Sequence, residues 1–281
     1  MSFITRDIDV VFSLANGQFV GGGNTSTVSG LRVQCKIIAT GGPFISTAEI
    51  TIYGMSKALM NQLSTIGSQW NQRGNNQISV FANGSLVFSG AIFNAFVDAA
   101  QQPQVCFRVI ASPGAYQSVV PQDPVSIQGS ADAAQIMSGL ASKMGFQFEN
   151  NGVNVKLNNP YYDGSPWQSA IELAQHGNFD MTVERGVLII TPFGVPRQGA
   201  TILIAPNNGM VGYPAFVQNG LVVEALFDPS VRLLGLVKVQ SDLSPANGVW
   251  QVRKIEYDLE SITPDGPWFM SLETNPVGTQ L

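Results

Sequence analysis

The chain has 281 residues, of which only 14 are Lys or Arg and 19 are Asp or Glu, about half the charged share of roughly 25% usual in a soluble domain. A formal net charge of −5 without any basic run excludes tight sequence-independent binding to nucleic acid, which needs clustered cations to neutralise phosphates. No apolar run approaches the roughly 20 residues that span a bilayer, and the start Met1-Ser2-Phe3-Ile4-Thr5-Arg6-Asp7 lacks a signal-peptide pattern. No membrane insertion, and folding in a cytoplasm, are therefore expected.

Asn and Gln number 19 and 21, so amides outnumber charges and supply hydrogen bonding without the desolvation cost of buried ions. The same depletion of charge marks the cores of protein interfaces. The two cysteines, Cys35 and Cys106, stand in apolar strand-like runs and read as buried small hydrophobes.

The first 115 or so residues read as strands. Ile8, Val10, Phe12 and Leu14 alternate before Asn16-Gly17; Leu31, Val33, Cys35 and Ile37 alternate after the loop Gly21-Gly22-Gly23; Ile50 and Ile52 continue the pattern. A helix is predicted from a Ser56 N-cap to Ile66, with Leu59, Met60, Leu63 and Ile66 on one face. Ile78 and Val80 lead into Asn83-Gly84, a strong hairpin signal, and a last strand runs from Val105 to Ala111. Together these describe a β-barrel or sandwich with one short helix.

From about Ser130 to Pro192 the period changes. Ser130 is the predicted cap of a helix over Ala131 to Met144, followed by Gly145, Phe146-Gln147-Phe148, a turn at Asn150-Asn151-Gly152 and Val153 to Leu157. Ser165 caps a second helix with Pro166 at its first position, followed by Gly177, Phe179 to Val183, a turn at Glu184-Arg185-Gly186 and Val187 to Thr191. Each half reads as helix, Gly and hairpin, an internal echo. Strand candidates return at Ile202 to Ile204, Leu221 to Leu226, Leu233 to Val239, Val249 to Tyr257 and Phe269 to Leu272. The expected organisation is mainly β with an α+β insert: residues 1–125, 126–195 and 196–281.

Sites of chemistry are hard to find. His176 is the single histidine, which excludes any centre needing two imidazoles; its place before Gly177 suits a helix C-terminus, where a donor meets the last carbonyls. No catalytic residue, cofactor or metal site is predicted. Glycoside hydrolysis needs only two carboxylates, and Glu149, Asp163, Glu172, Asp180 and Glu184 keep a wall-degrading enzyme open as an alternative. Asp7 and Asp9 share a strand face and suggest an exposed edge. Tyr213, Phe227, Pro229, Trp250, Trp268 and Phe269 each suit a core position, yet as a group bracketed by Gly and Pro they are candidate anchors of a partner interface. Exposed aromatic rows would instead suit a carbohydrate-binding module.

Several segments carry a resemblance. Asn208-Gly209-Met210-Val211-Gly212-Tyr213-Pro214, Gly220 through Pro229, and Gly235 with Leu236 to Val239 resemble the C-terminal region of bacteriophage tail or baseplate hub proteins. Ala246 to Val252, Ile255 to Leu259 and Gly266-Pro267-Trp268-Phe269 are similar to that family's closing strands. Ala48 to Tyr53 running into Gly54-Met55-Ser56-Lys57 is similar too, with Gly54 where an Asn is expected. The resemblance implies two tube-like β-barrels flanking the insert, in a homotrimer that forms a pseudo-sixfold ring. It further implies as partners a sixfold tail tube protein, a threefold central spike protein, other baseplate proteins and a tape measure protein. DNA would pass the lumen without specific binding, and the protein would reside in the virion tail baseplate after assembly in the host cytoplasm.

Overall fold

The computed structural model describes residues 6–42, 46–64, 76–100 and 102–278. The chain is mainly β, with three α-helices among the described residues, none of them long and apolar enough to cross a membrane. It divides into two compact units: residues 1–38, 46–115 and 256–270, and residues 39–45, 116–255 and 271–281.

The first unit draws on β1 (Ile8–Ser13), β2 (Thr25–Val28), β3 (Val33–Thr40), β4 (Thr47–Tyr53), α1 (Lys57–Leu63), β5 (Gln77–Ala82), β6 (Ser85–Asp98) and β7 (Cys106–Ser112). It also takes the end of β19 (Gly248–Glu260) and the start of β20 (Trp268–Pro276). Its strand path is β20-β19-β3-β4-β7-β6-β5-β1-β2. Alternation builds the core as expected: Ile8, Val10 and Phe12 of β1, Val33, Cys35 and Ile37 of β3, and Ala48, Ile50 and Ile52 of β4 are buried, because successive side chains in a strand point to opposite faces. Full burial of a side chain such as Phe12 stabilises by about 2–3 kcal/mol. Asn83 and Gly84 take φ of 47° and 76°, the pair of positive values that a two-residue turn between β5 and β6 requires. The Ser56 hydroxyl accepts from the Leu59 amide and caps α1. The helix ends at Leu63, and Ile66 of the predicted helix lies outside the described residues.

β1 pairs with β5 along its whole length and with β2 from Val10 to Ser13, so the strand is interior from Val10 onward, and Asp9 stands opposite Phe81 of β5 just outside the β2 pairing. Thr25–Val28 forms a strand although its Thr-Ser-Thr-Val sequence carries almost no apolar alternation; pairing with β1 supplies what the pattern lacks.

The second unit contains β8 (Val125–Ser126), β9 (Ser130–Asp132), α2 (Ala133–Met144), β10 (Gln147–Asn150), β11 (Lys156–Asn158), β12 (Tyr161–Tyr162), α3 (Pro166–Gly177), β13 (Phe179–Glu184) and β14 (Val187–Pro192). β15 (Ile202–Ile204), β16 (Ala215–Val217), β17 (Gly220–Leu226) and β18 (Leu236–Val239) follow, with the remaining parts of β19 and β20. One path reads β16-β17-β20-β19-β18-β15, and β10-β14-β13 form a separate three-stranded sheet. Among the described residues the strand order does not close, its ends being β2, β16 and β15.

The helices pack on the three-stranded sheet around Met137, Leu140, Trp167, Leu173, Met181 and Leu188. Asp132, not Ser130, caps α2, its carboxylate accepting from the Ala134 and Gln135 amides; residues 130–132 are held in β9 against β11. Gly145 ends α2 in the left-handed region. Asn178 does the same for α3, so Gly177 lies inside the helix and not beyond it. The echo between the halves is also broken: β13 and β14 form a hairpin, whereas β10 lies parallel to β14 and leaves β11 to pair with β9. The edge of the buried β14 offered a longer apolar partner than the short segment after Asn151-Gly152.

Candidate functional site

The second unit encloses a network of paired charges. Arg197, almost wholly buried, donates from Nε and Nη2 to the two oxygens of Glu149 at 2.7 and 2.6 Å, and from Nη1 to Glu184 Oε2 at 2.6 Å. Arg232 Nε donates to the same Glu184 oxygen at 2.8 Å, and the Leu233 amide donates to Glu184 Oε1 at 3.0 Å. The elements dictate this clasp. Glu149 and Glu184 come from β10 and the end of β13, while Arg197 and Arg232 come from the segments that precede β15 and β18. Bidentate geometry of this kind is the strong form of an arginine–carboxylate pair. Asn151 extends the clasp, donating to Glu149 and accepting from the Gln198 amide. Next along the hairpin, the Arg185 guanidinium donates to the carbonyls of Pro229 and Val231.

The hydrogen bond from Arg197 holds the Glu149 carboxyl below the usual carboxylate range, with Asn151 and the charge of Arg232 adding to it. That direction is opposite to the raised pKa of a glycosidase general acid. Asp180 is paired with Arg253 at 3.1 Å, Glu172 accepts from Gln168 one helical turn earlier, and Asp163 is exposed. The five acids of the hydrolase alternative are thus structural partners or solvated groups. His176 lies in the last turn of α3 with Nδ1 3.4 Å from the Tyr162 hydroxyl.

The six candidate interface residues fall into different environments. Tyr213 is 66% exposed, Phe269 36% and Trp268 only 7%. Phe227, Pro229 and Trp250 are half-buried, and Trp250 Nε1 is already engaged in donating to the Ala246 carbonyl at 3.0 Å. Phe216, which the sequence groups with these candidates, and further apolar residues near Tyr213 are exposed as well. Phe216 is 57% exposed, and Val211, Val217 and Leu226 are also exposed. Phe216 stands opposite Leu221 across β16 and β17, so the two share a sheet face, yet Leu221 is fully buried. The apolar layer of this sheet therefore runs past the point where the chain itself covers it. Gly220 makes the arrangement possible, since a Cβ there would run into the Thr274 carbonyl.

The sequence model of the family described as baseplate hub gp41 matches residues 8–274. The chain belongs to the baseplate hub gp41 family. No curated protein matches it. Among solved structures, this hub-family chain is similar to a 43 kDa tail protein of prophage MuSo2 from Shewanella oneidensis, with 10% identity, a TM-score of 0.65, and coverage of 96% of this chain and 98% of that one. It is similar to a tail protein from Neisseria meningitidis MC58, with 11% identity, a TM-score of 0.66 and coverage of 98% of each chain. It is also similar to the E. coli c3393 protein, described as a type VI secretion component resembling the T4 tail proteins gp27 and gp5. There the identity is 11%, the TM-score 0.58, and the coverage 94% of this chain and 76% of that one. At these identities the likeness is one of fold. Family and fold agree that this is a structural protein of a phage-type tail.

Proposed function

We propose that the hub chain assembles as a homotrimer into a pseudo-sixfold ring that adapts a sixfold tail tube to a threefold spike and surrounds the path of the DNA. Residues 1–125 and 196–281 supply the strands of two tube-like barrel domains, the end of β19 and the start of β20 joining those of the first, and residues 126–195 form the insert between them. The observation that carries this reading is the family match over residues 8–274, joined to a surface poor in ions where apolar residues stand exposed. A ring subunit covers such a surface with copies of itself, with the tube and with the spike. Its action is assembly and geometry, with no bond made or broken.

Three chains at −5 carry −15, which lets DNA slide past without the phosphate contacts that retain it. The partners are the tail tube protein, the central spike protein, other baseplate proteins and the tape measure protein, and the place of action is the virion tail baseplate after assembly in the host cytoplasm. Of the six candidate anchors, Tyr213 and Phe269 are the most accessible. Image reconstruction of the tail tip tests the reading: a threefold ring of this chain between tube and spike is the expected density. A single copy outside the tube axis overturns it.

A further inference from the structure

Two ends of the strand paths lack the usual protection of an exposed edge. Edge strands present free backbone donors and acceptors, and proteins guard them with charges, above all Lys. β2 ends the path of the first unit and β16 that of the second. No charged residue occurs from Val10 through Leu31 or from Gln198 through Val223, the stretches that contain them. All three residues of β16 are exposed, as are Thr25 and Thr27 of β2, and among the described residues no further strand pairs with either. The third edge of this kind, β15, is already capped by its own chain: Asn208 Nδ2 donates to the Leu203 carbonyl at 2.6 Å.

We propose that β16 of one copy pairs with β2 of a second copy of this chain, head to tail, and that Phe216 is covered by the neighbour in doing so. The occupant follows from the chemistry. An edge of three residues with exposed Phe and Val needs an uncharged strand of similar length, and the chain carries one in the four-residue Thr25–Val28. Pairing β16 with itself across a twofold axis leaves β2 uncovered, whereas a single head-to-tail contact covers both edges and generates a ring when the rotation closes. The proposal rests on the homotrimer reading above and names the strands that build it.

The test uses full-length protein with Thr27→Cys, Ala215→Cys, or both, treated with a short homobifunctional maleimide, beside native mass spectrometry of each variant. The double variant is expected to give covalent dimers and trimers, and each single variant none. Cross-linking of Ala215→Cys alone means self-pairing and overturns the proposal. A trimer by native mass with no product from the double variant also overturns it while the ring reading stands, and a monomer by native mass overturns both. In a second variant, Phe216→Asp, the folded monomer is retained and the concentration needed for assembly rises at least about tenfold; assembly at the unchanged concentration contradicts the proposal.

Discussion

Two stretches of the second unit treat charge in opposite ways. Glu184 and Arg197 are buried and paired with each other and with the half-exposed Arg232 and Glu149, so the insert is tied by ions to the segments that precede β15 and β18. From Gln198 to Val223 there is no charge at all, and Tyr213, Phe216 and Val217 face outward. The difference teaches where each kind of interaction is of use. Ions taken out of water hold only when their geometry is fixed within one chain, while an apolar, uncharged face can be covered and uncovered by another polypeptide without stranding a charge.

The sharpest way to break the contrast is to remove the ion at its centre. Arg197→Ala leaves Glu184 buried with part of its partners gone and is expected to cost about 3–5 kcal/mol, a fall in Tm of roughly 10 °C by calorimetry. A comparable loss is expected from Trp268→Ala, about 3–5 kcal/mol, because this aromatic is core. Tyr213→Ala, by contrast, stays within about 0.5 kcal/mol by urea denaturation and acts on assembly instead.

Acid sharpens the contrast next. Arg197 depresses the folded-state pKa of Glu149, so the stabilisation is complete above the unfolded value of about 4.3 and is lost as pH falls through the folded value. The Glu260 carboxyl adds to this: burial pushes it up, but hydrogen bonds from Thr263, Arg32 and Gln34 and the charge of Arg32 bring it below the usual range. Tm is expected to hold from pH 7 to about 5 and to fall below about 4.3, and Glu149→Gln flattens part of that fall. A Tm rising toward acid in both proteins refutes the clasp. The smallest effect concerns Cys35, whose thiol burial pushes up to about 12 with help from the charge of Asp258. Since the thiolate is the nucleophile, Cys35 stays unlabelled by iodoacetamide at pH 8 in the native protein and reacts once unfolded, as peptide mass mapping will show.

Much of the fold was legible because it rests on local rules. Period-two alternation placed β1, β3 and β4, the Asn83-Gly84 pair placed a hairpin, and Ser165-Pro166 placed α3. What was hidden depends on distant partners. Ser130 lost its capping role because β11 recruited residues 130–132 into β9, and the supposed hairpin after α2 was split by the stronger pairing of β10 with β14. β16 was missed because three residues carry too little period to read. The clasp was invisible for the same reason: 48 residues separate Glu149 from Arg197, and neither stands in a motif. Of the six aromatic and proline candidates, Tyr213 lies in the open and Trp268 in the core, a distinction made by neighbours across the sheet and not by composition.

The central claim is that the uncharged apolar stretch from Gln198 to Val223 exists to be covered by further copies of the chain. Native mass spectrometry of the purified full-length protein, at rising concentration, tests it most directly. The account predicts a species of three times 30.0 kDa that persists on dilution and is weakened by Phe216→Asp. A single 30.0 kDa species at every concentration, with Tyr213 and Phe216 open to solvent, would contradict it.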